Sequence, residues 1–181
     1  MLFYRRESVK KEIRISEKLL LAGFSFMFFF MIVQDWVPLG SFNDVQAIRE
    51  ANSYNELITV TLINVGQILI LMGLLVKFMG KRYPIWVKLW LIIHQLCIFV
   101  GVLISWWIPY LFGYGAEQKV ERYNQMFGDT HSFLPVMNGI VPNTLHFLFH
   151  ITLLFCIIIV LYISFTSSRN TRNDSYFENI N

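Results

Sequence analysis

The chain has 181 residues, of which 55% are hydrophobic, 17% aromatic and 15% charged, with a formal charge of +3. That balance excludes an ordinary soluble domain and leaves room for several apolar helices of about 20 residues, the length that crosses roughly 30 Å of hydrocarbon. Lys and Arg cluster beside the apolar runs and form no continuous basic surface, so nucleic acid is excluded as a partner and the lipid bilayer is expected.

Residues 1–18 read as a basic amphipathic segment, with a short helix over Glu7 to Lys18 presenting Lys10, Lys11, Arg14 and Lys18 to anionic headgroups. Four apolar stretches follow, at about 19–37, 57–76, 87–108 and 144–166, and each passes the length test for a transmembrane helix. The first is too long for the core of a secretory signal and no small-x-small cleavage site follows, so it is expected to stay as an anchor. The fold class expected is therefore an all-α integral membrane protein, a four-helix bundle over residues 19–166. No stretch shows the alternation of a barrel strand.

Between the first two spans, Asn43 and Asp44 can cap a short helix whose Val45 and Ile48 face the membrane or the bundle. From Ala116 to Phe127, the positions Ala116, Val120, Tyr123, Met126 and Phe127 recur at helical spacing, which predicts a second amphipathic helix lying over the bundle as a lid. Trp36, Trp86, Trp106, Trp107 and Tyr110 fall at span ends, the interfacial belt position of amphipathic rings. The Asn- and Ser-rich tail, 167–181, is expected to be disordered. Twelve Lys and Arg residues fall on the side of the termini and the Lys77 to Lys88 connection, against three on the other. Basic excess stays inside, so both termini are expected in the cytoplasm and the protein in the cell membrane. The outer segments carry seven acids and are net acidic.

Polar side chains inside the apolar runs are the informative ones, because hydrocarbon tolerates them only against other helices or water. On the fourth span Asn143, His146 and His150 lie within about 60° of one face, with Pro142 as the expected first helical residue. On the second, Glu56, Asn64 and Gln67 fall within an arc of about 80°, interrupted by Val60. Asp35 ends the first span. These residues are expected to converge on an outward-facing pocket in which Asn64 and His150, at similar depth, approach each other. His131, in the loop before the fourth span, is placed to close over it. His131, His146 and His150 with a carboxylate from Asp35 or Glu56 supply the N and O donors that zinc accepts, so zinc is the candidate cofactor.

The alternatives narrow by chemistry. Phe147 stands where a zinc protease helix carries its Glu after the first His. His94 lies roughly 11 Å deeper than His150, so the two do not share a haem or a metal, and Gly101 and Ser105 on its face favour a packing role. Cys97 and Cys156 lie in separate apolar runs, which argues against thiol-disulfide exchange. No phosphate loop or nucleophile elbow is present. The expected function is binding of a cation, proton or small polar ligand from the outer side, in transport-accessory or sensing work. The alternatives are a membrane enzyme acting by metal or acid-base chemistry on a lipid-like substrate, and a structural or partner-binding subunit.

Overall fold

The computed structural model describes the backbone of residues 12–178 and the side chains of 12–166. Helix α1 (Ile15–Val33) is followed by a 3-10 turn (Gly40–Phe42), α2 (Val45–Ala51) and α3 (Tyr54–Phe78). A tight connection then leads to α4 (Ile85–Val102), which passes through a π-helical segment (Leu103–Trp107) into α5 (Ile108–Phe112). The short α6 (Glu117–Phe127) and the long α7 (Thr144–Glu178) complete the chain. Among the described residues the fold is all-helical, apart from one isolated bridge between Met137 and Ile140. Four helices are long and apolar enough to cross a membrane: Ile15–Val33, Tyr54–Phe78, Ile85–Phe112 and Thr144–Thr166.

These match the four apolar stretches, with shifted ends that have local causes. The first helix stops at Val33, short of the expected 37, because Pro38 disfavours helical geometry in the residue before it and Asn43 holds the chain in a turn. Asn43 is buried; its Oδ1 accepts from the Leu39 N–H at 2.7 Å and its Nδ2 donates to the Gln34 and Val37 carbonyls at 2.7 and 2.9 Å. Asp44 alone caps α2, accepting from the Ala47 N–H at 2.9 Å. Pro142 is not the first helical residue: α7 begins at Thr144, and Asn143 is its cap. The α7 backbone continues through Ser167 to Glu178, over most of the tail expected to be disordered, and 179–181 lie outside the described residues. No Gly or Pro stands in that stretch to stop it.

The main helix contacts run in the order α3 on α1, α1 on α7 and α7 on α4, with α2 packed on α6 at one end. Leu20, Phe24 and Met27 of α1 meet Ile68, Leu71 and Leu75 of α3 on one side. Leu153, Cys156 and Val160 of α7 complete the core with Val87 and Leu91 of α4. α1 and α7 approach closely at Gly23, where an added Cβ would meet the Cys156 sulfur.

The expected basic helix over Glu7 to Lys18 lies partly outside the described residues. Within them, Glu12 to Arg14 are not helical, and the helix that starts at Ile15 turns Glu17 inward. Glu17 is 0% exposed. Its carboxylate accepts from the Arg14 N–H at 2.9 Å, the Gly80 N–H at 3.2 Å and the Arg14 guanidinium at 3.2 Å. One side chain thus satisfies the start of α1 and the turn between α3 and α4. Burial and the Glu17 charge push the hydroxyl of the neighbouring Tyr83 well above its ordinary pKa. Glu17→Ala leaves two backbone donors and a guanidinium without their acceptor, and is expected to remove about 2–4 kcal/mol of stability. Thermal unfolding of the detergent-purified protein checks this, with Glu12→Ala as the neutral control.

Candidate functional site

The side chains that could carry chemistry gather where the α7 start meets the α4 end, beneath α6. Asn143 is 2% exposed. Its Oδ1 accepts from the His146 backbone N–H at 2.9 Å and lies 2.8 Å from His146 Nδ1. An amide oxygen only accepts, so Nδ1 of His146 carries the proton and Nε2 keeps its lone pair. The Asn143 amide nitrogen reaches Thr130 Oγ1 at 3.2 Å and the Phe42 carbonyl at 3.5 Å, which ties both loops to the first turn of α7.

One turn further along, His150 is 3% exposed, its ring 6.1 Å from that of His146. Around the pair stand Trp106 (4.6 Å from His146, 6.2 Å from His150), Trp107 (6.0 Å from His150), Phe127 (4.9 Å from His146) and Phe30 (5.8 Å from His146). Nδ1 of His150 is buried and has no hydrogen-bond partner within this box.

Pro109 explains the shape of the opposite wall. It has no N–H, so it gives no helical bond to the carbonyls four and five residues earlier, Ser105 and Ile104, and the helix widens to π geometry just before it. α6 supplies the missing donors. Lys119 Nζ donates to the Ile104 carbonyl at 2.8 Å and the Ser105 carbonyl at 3.4 Å, and the Tyr123 hydroxyl donates to Ser105 at 2.9 Å. Burial raises the Tyr123 pKa, which keeps that hydroxyl a donor. The Tyr123 and Phe127 rings lie 4.6 and 5.3 Å from Trp106. The amphipathic segment therefore lies over Trp106 and His146. It is pinned at its other edge by Met126 against Ile48 and Leu57. Ile48 thus faces α6 and not the surroundings of the bundle.

The remaining expected residues do not join the pair. His131 is exposed; its Nδ1 is 2.8 Å from Thr144 Oγ1, its N–H donates to the Ser41 carbonyl at 2.6 Å, and its ring lies on Phe42. It clamps the loops to the head of α7. Glu56, 53% exposed, sits 3.8 Å from Arg122. Asn64 and Gln67 are half-buried on α3. No hydrogen bond links Asn64 to His150, because α1 packs between α3 and α7. Among the described residues no three His, Cys, Asp or Glu side chains group as a metal set. Three acids of the connecting segments, Asp44, Glu50 and Asp129, instead line a separate cavity of about 620 Å³ at the α2 end, beside Trp36 and Arg49.

Trp106, Trp107, Tyr123, Phe127 and Thr130 were not recognisable as site residues by spacing alone. The Trp pair reads as an interfacial belt, yet Trp106 is 7% exposed, and Tyr110 is also buried, donating to the Pro135 carbonyl at 3.0 Å. The usable signal was Pro109 at the end of an apolar run, followed by Lys119 and Tyr123. No protein-family model, curated protein or solved structure matches the chain.

Asp35, just past the end of α1, is held in a desolvated position that pushes its carboxyl pKa up from 3.8 to about 6. The folded state therefore keeps the proton better than the unfolded chain. Ionised Asp35 weakens the fold above about pH 6, and the penalty disappears as the pH falls toward 3.8. Asp35→Asn is expected to raise stability at pH 7.5 by about 1–2 kcal/mol, after allowance for partial exposure, and to match wild type near pH 4. Melting curves of the two proteins across that range test it.

Proposed function

We propose that the chain is a multi-pass protein of the cell membrane whose four long helices form a transmembrane bundle. Both termini and the turn at Gly80 lie in the cytoplasm, and the His146–His150 pair binds a cation or small polar ligand from the outer side. Its work is ligand sensing or assistance to transport. The observation that carries this reading is Nδ1 of His150, a buried polar atom without a partner, one turn from His146, whose free nitrogen is fixed by Asn143. A polar group left unpaired in such surroundings costs about 1–3 kcal/mol, and a bound ligand offsets that cost. The lid held by Lys119 and Tyr123 supplies a way to open and close the box.

Zinc remains the proposed metal, with two imidazoles as half of a tetrahedral set and water or a carried ligand completing it. Neutral imidazoles are the ligating form, so affinity falls as the pH drops. Zinc is expected to raise the melting temperature of the wild-type protein and of His94→Ala, and to leave His146→Ala/His150→Ala unshifted. Equal shifts in wild type and double variant would remove the metal from this reading.

The orientation rests on the distribution of Lys and Arg, twelve against three. In a background with Cys97 and Cys156 replaced, Gln118→Cys is expected to react with an impermeant thiol reagent in intact cells and Lys81→Cys only after lysis. Labelling of position 81 in intact cells inverts the topology.

A further inference from the structure

Far from the His pair, a groove of about 690 Å³ lies between α1 and α7 at the Glu17 end. Leu19, Phe155 and Ile158, each about half exposed, line it toward the middle of the helices, and Arg14, Ser16 and Tyr162 line it with Ile15 toward the start of α1. From Phe155 to Tyr162 the wall runs about 10 Å along the helix axis, so apolar and polar portions are separated by depth. We propose that this groove is a binding site for an anionic phospholipid of the cytoplasmic leaflet, one acyl chain lying between α1 and α7 and the phosphate at Arg14.

Two features select this occupant. The groove is amphiphilic along its length, which fits a lipid and does not fit a wholly apolar helix from a second copy of the chain. The charge at its polar end is also complementary. Arg14 gives one nitrogen to Glu17 and keeps further guanidinium donors for a phosphate. Further basic residues stand on the same two helices, Lys18 on α1 and Arg169 and Arg172 along the α7 backbone. Such residues attract anionic headgroups and barely discriminate among zwitterionic ones. The proposal rests on the membrane reading above, and the thiol-labelling experiment tests that reading separately.

The experiment compares the full chain in nanodiscs and by native mass spectrometry with phosphatidylglycerol and phosphatidylcholine. Retained phosphatidylglycerol is expected to exceed phosphatidylcholine by about fivefold or more from equal mixtures, the preference that one or two basic residues at the headgroup level supply. Ile158→Trp and, on the opposite wall, Leu19→Trp fill the groove and are expected to abolish the preference. Ile70→Trp, on the exposed face of α3, is expected to keep it. Equal retention of the two lipids by wild type overturns the proposal. So does an unchanged preference in both groove-filling variants, or a dimer that these variants dissociate. Soluble glycerol phosphate is expected to leave the bound lipid in place; its competing at the site would assign the groove to a free phosphate ligand instead.

Discussion

The amide of Asn143 joins parts of the chain that are distant in sequence: the 3-10 turn at Phe42, the loop at Thr130 and the first turn of α7 with its His146 ring. A helix start leaves backbone N–H groups without acceptors, and a short side chain that accepts from the third residue on is the ordinary remedy. Here the same oxygen also sets the tautomer of His146, and the nitrogen of the same amide anchors both loops. The head of α7, the orientation of the imidazole and the closure of the loops therefore stand or fall together. His131 reinforces this from the outside, through Thr144 and Ser41.

The opposite wall follows from a second backbone deficit. Pro109 cannot donate to the turn before it, and the carbonyls of Ile104 and Ser105 are taken up by α6. The lid is thus held to the bundle by backbone groups that an unbroken helix would have kept for itself. The same widening carries Trp106 and Trp107 toward the His pair. Apolar walls leave the imidazoles as the groups open to a polar ligand, and the unpartnered Nδ1 of His150 is the basis for the proposed binding role.

At the other end the helices are held by a charge. Glu17 is buried among apolar side chains and is tolerated because three donors converge on it, two of them backbone N–H groups and the third the Arg14 guanidinium. With α3 lying on α1 and α4 on α7, the Glu17 contact to Gly80 is what draws the turn between the two outer helices onto the central pair. The groove between α1 and α7 opens beside this point, with Arg14 shared between the Glu17 contact and the groove lining.

Much of this architecture was legible in the letters because it depends on neighbours in sequence. The four apolar stretches, the Asp44 cap and the amphipathic spacing of α6 all follow from periodicity and local capping chemistry. The His146–His150 pair was legible for the same reason, being one turn apart on one helix. What the sequence did not reveal were the partners. Asn64 shares a depth with His150, but depth does not say that α1 stands between them. His131 lies close to α7 along the chain, but its ring turns to Phe42 and Thr144. Trp106 and Tyr110 sit where belt residues sit and are buried, and Glu17 stands in a basic segment and points inward. Helical period places a side chain on a face, and only the packing of the other helices decides whether that face meets a neighbour, a lid or the surroundings.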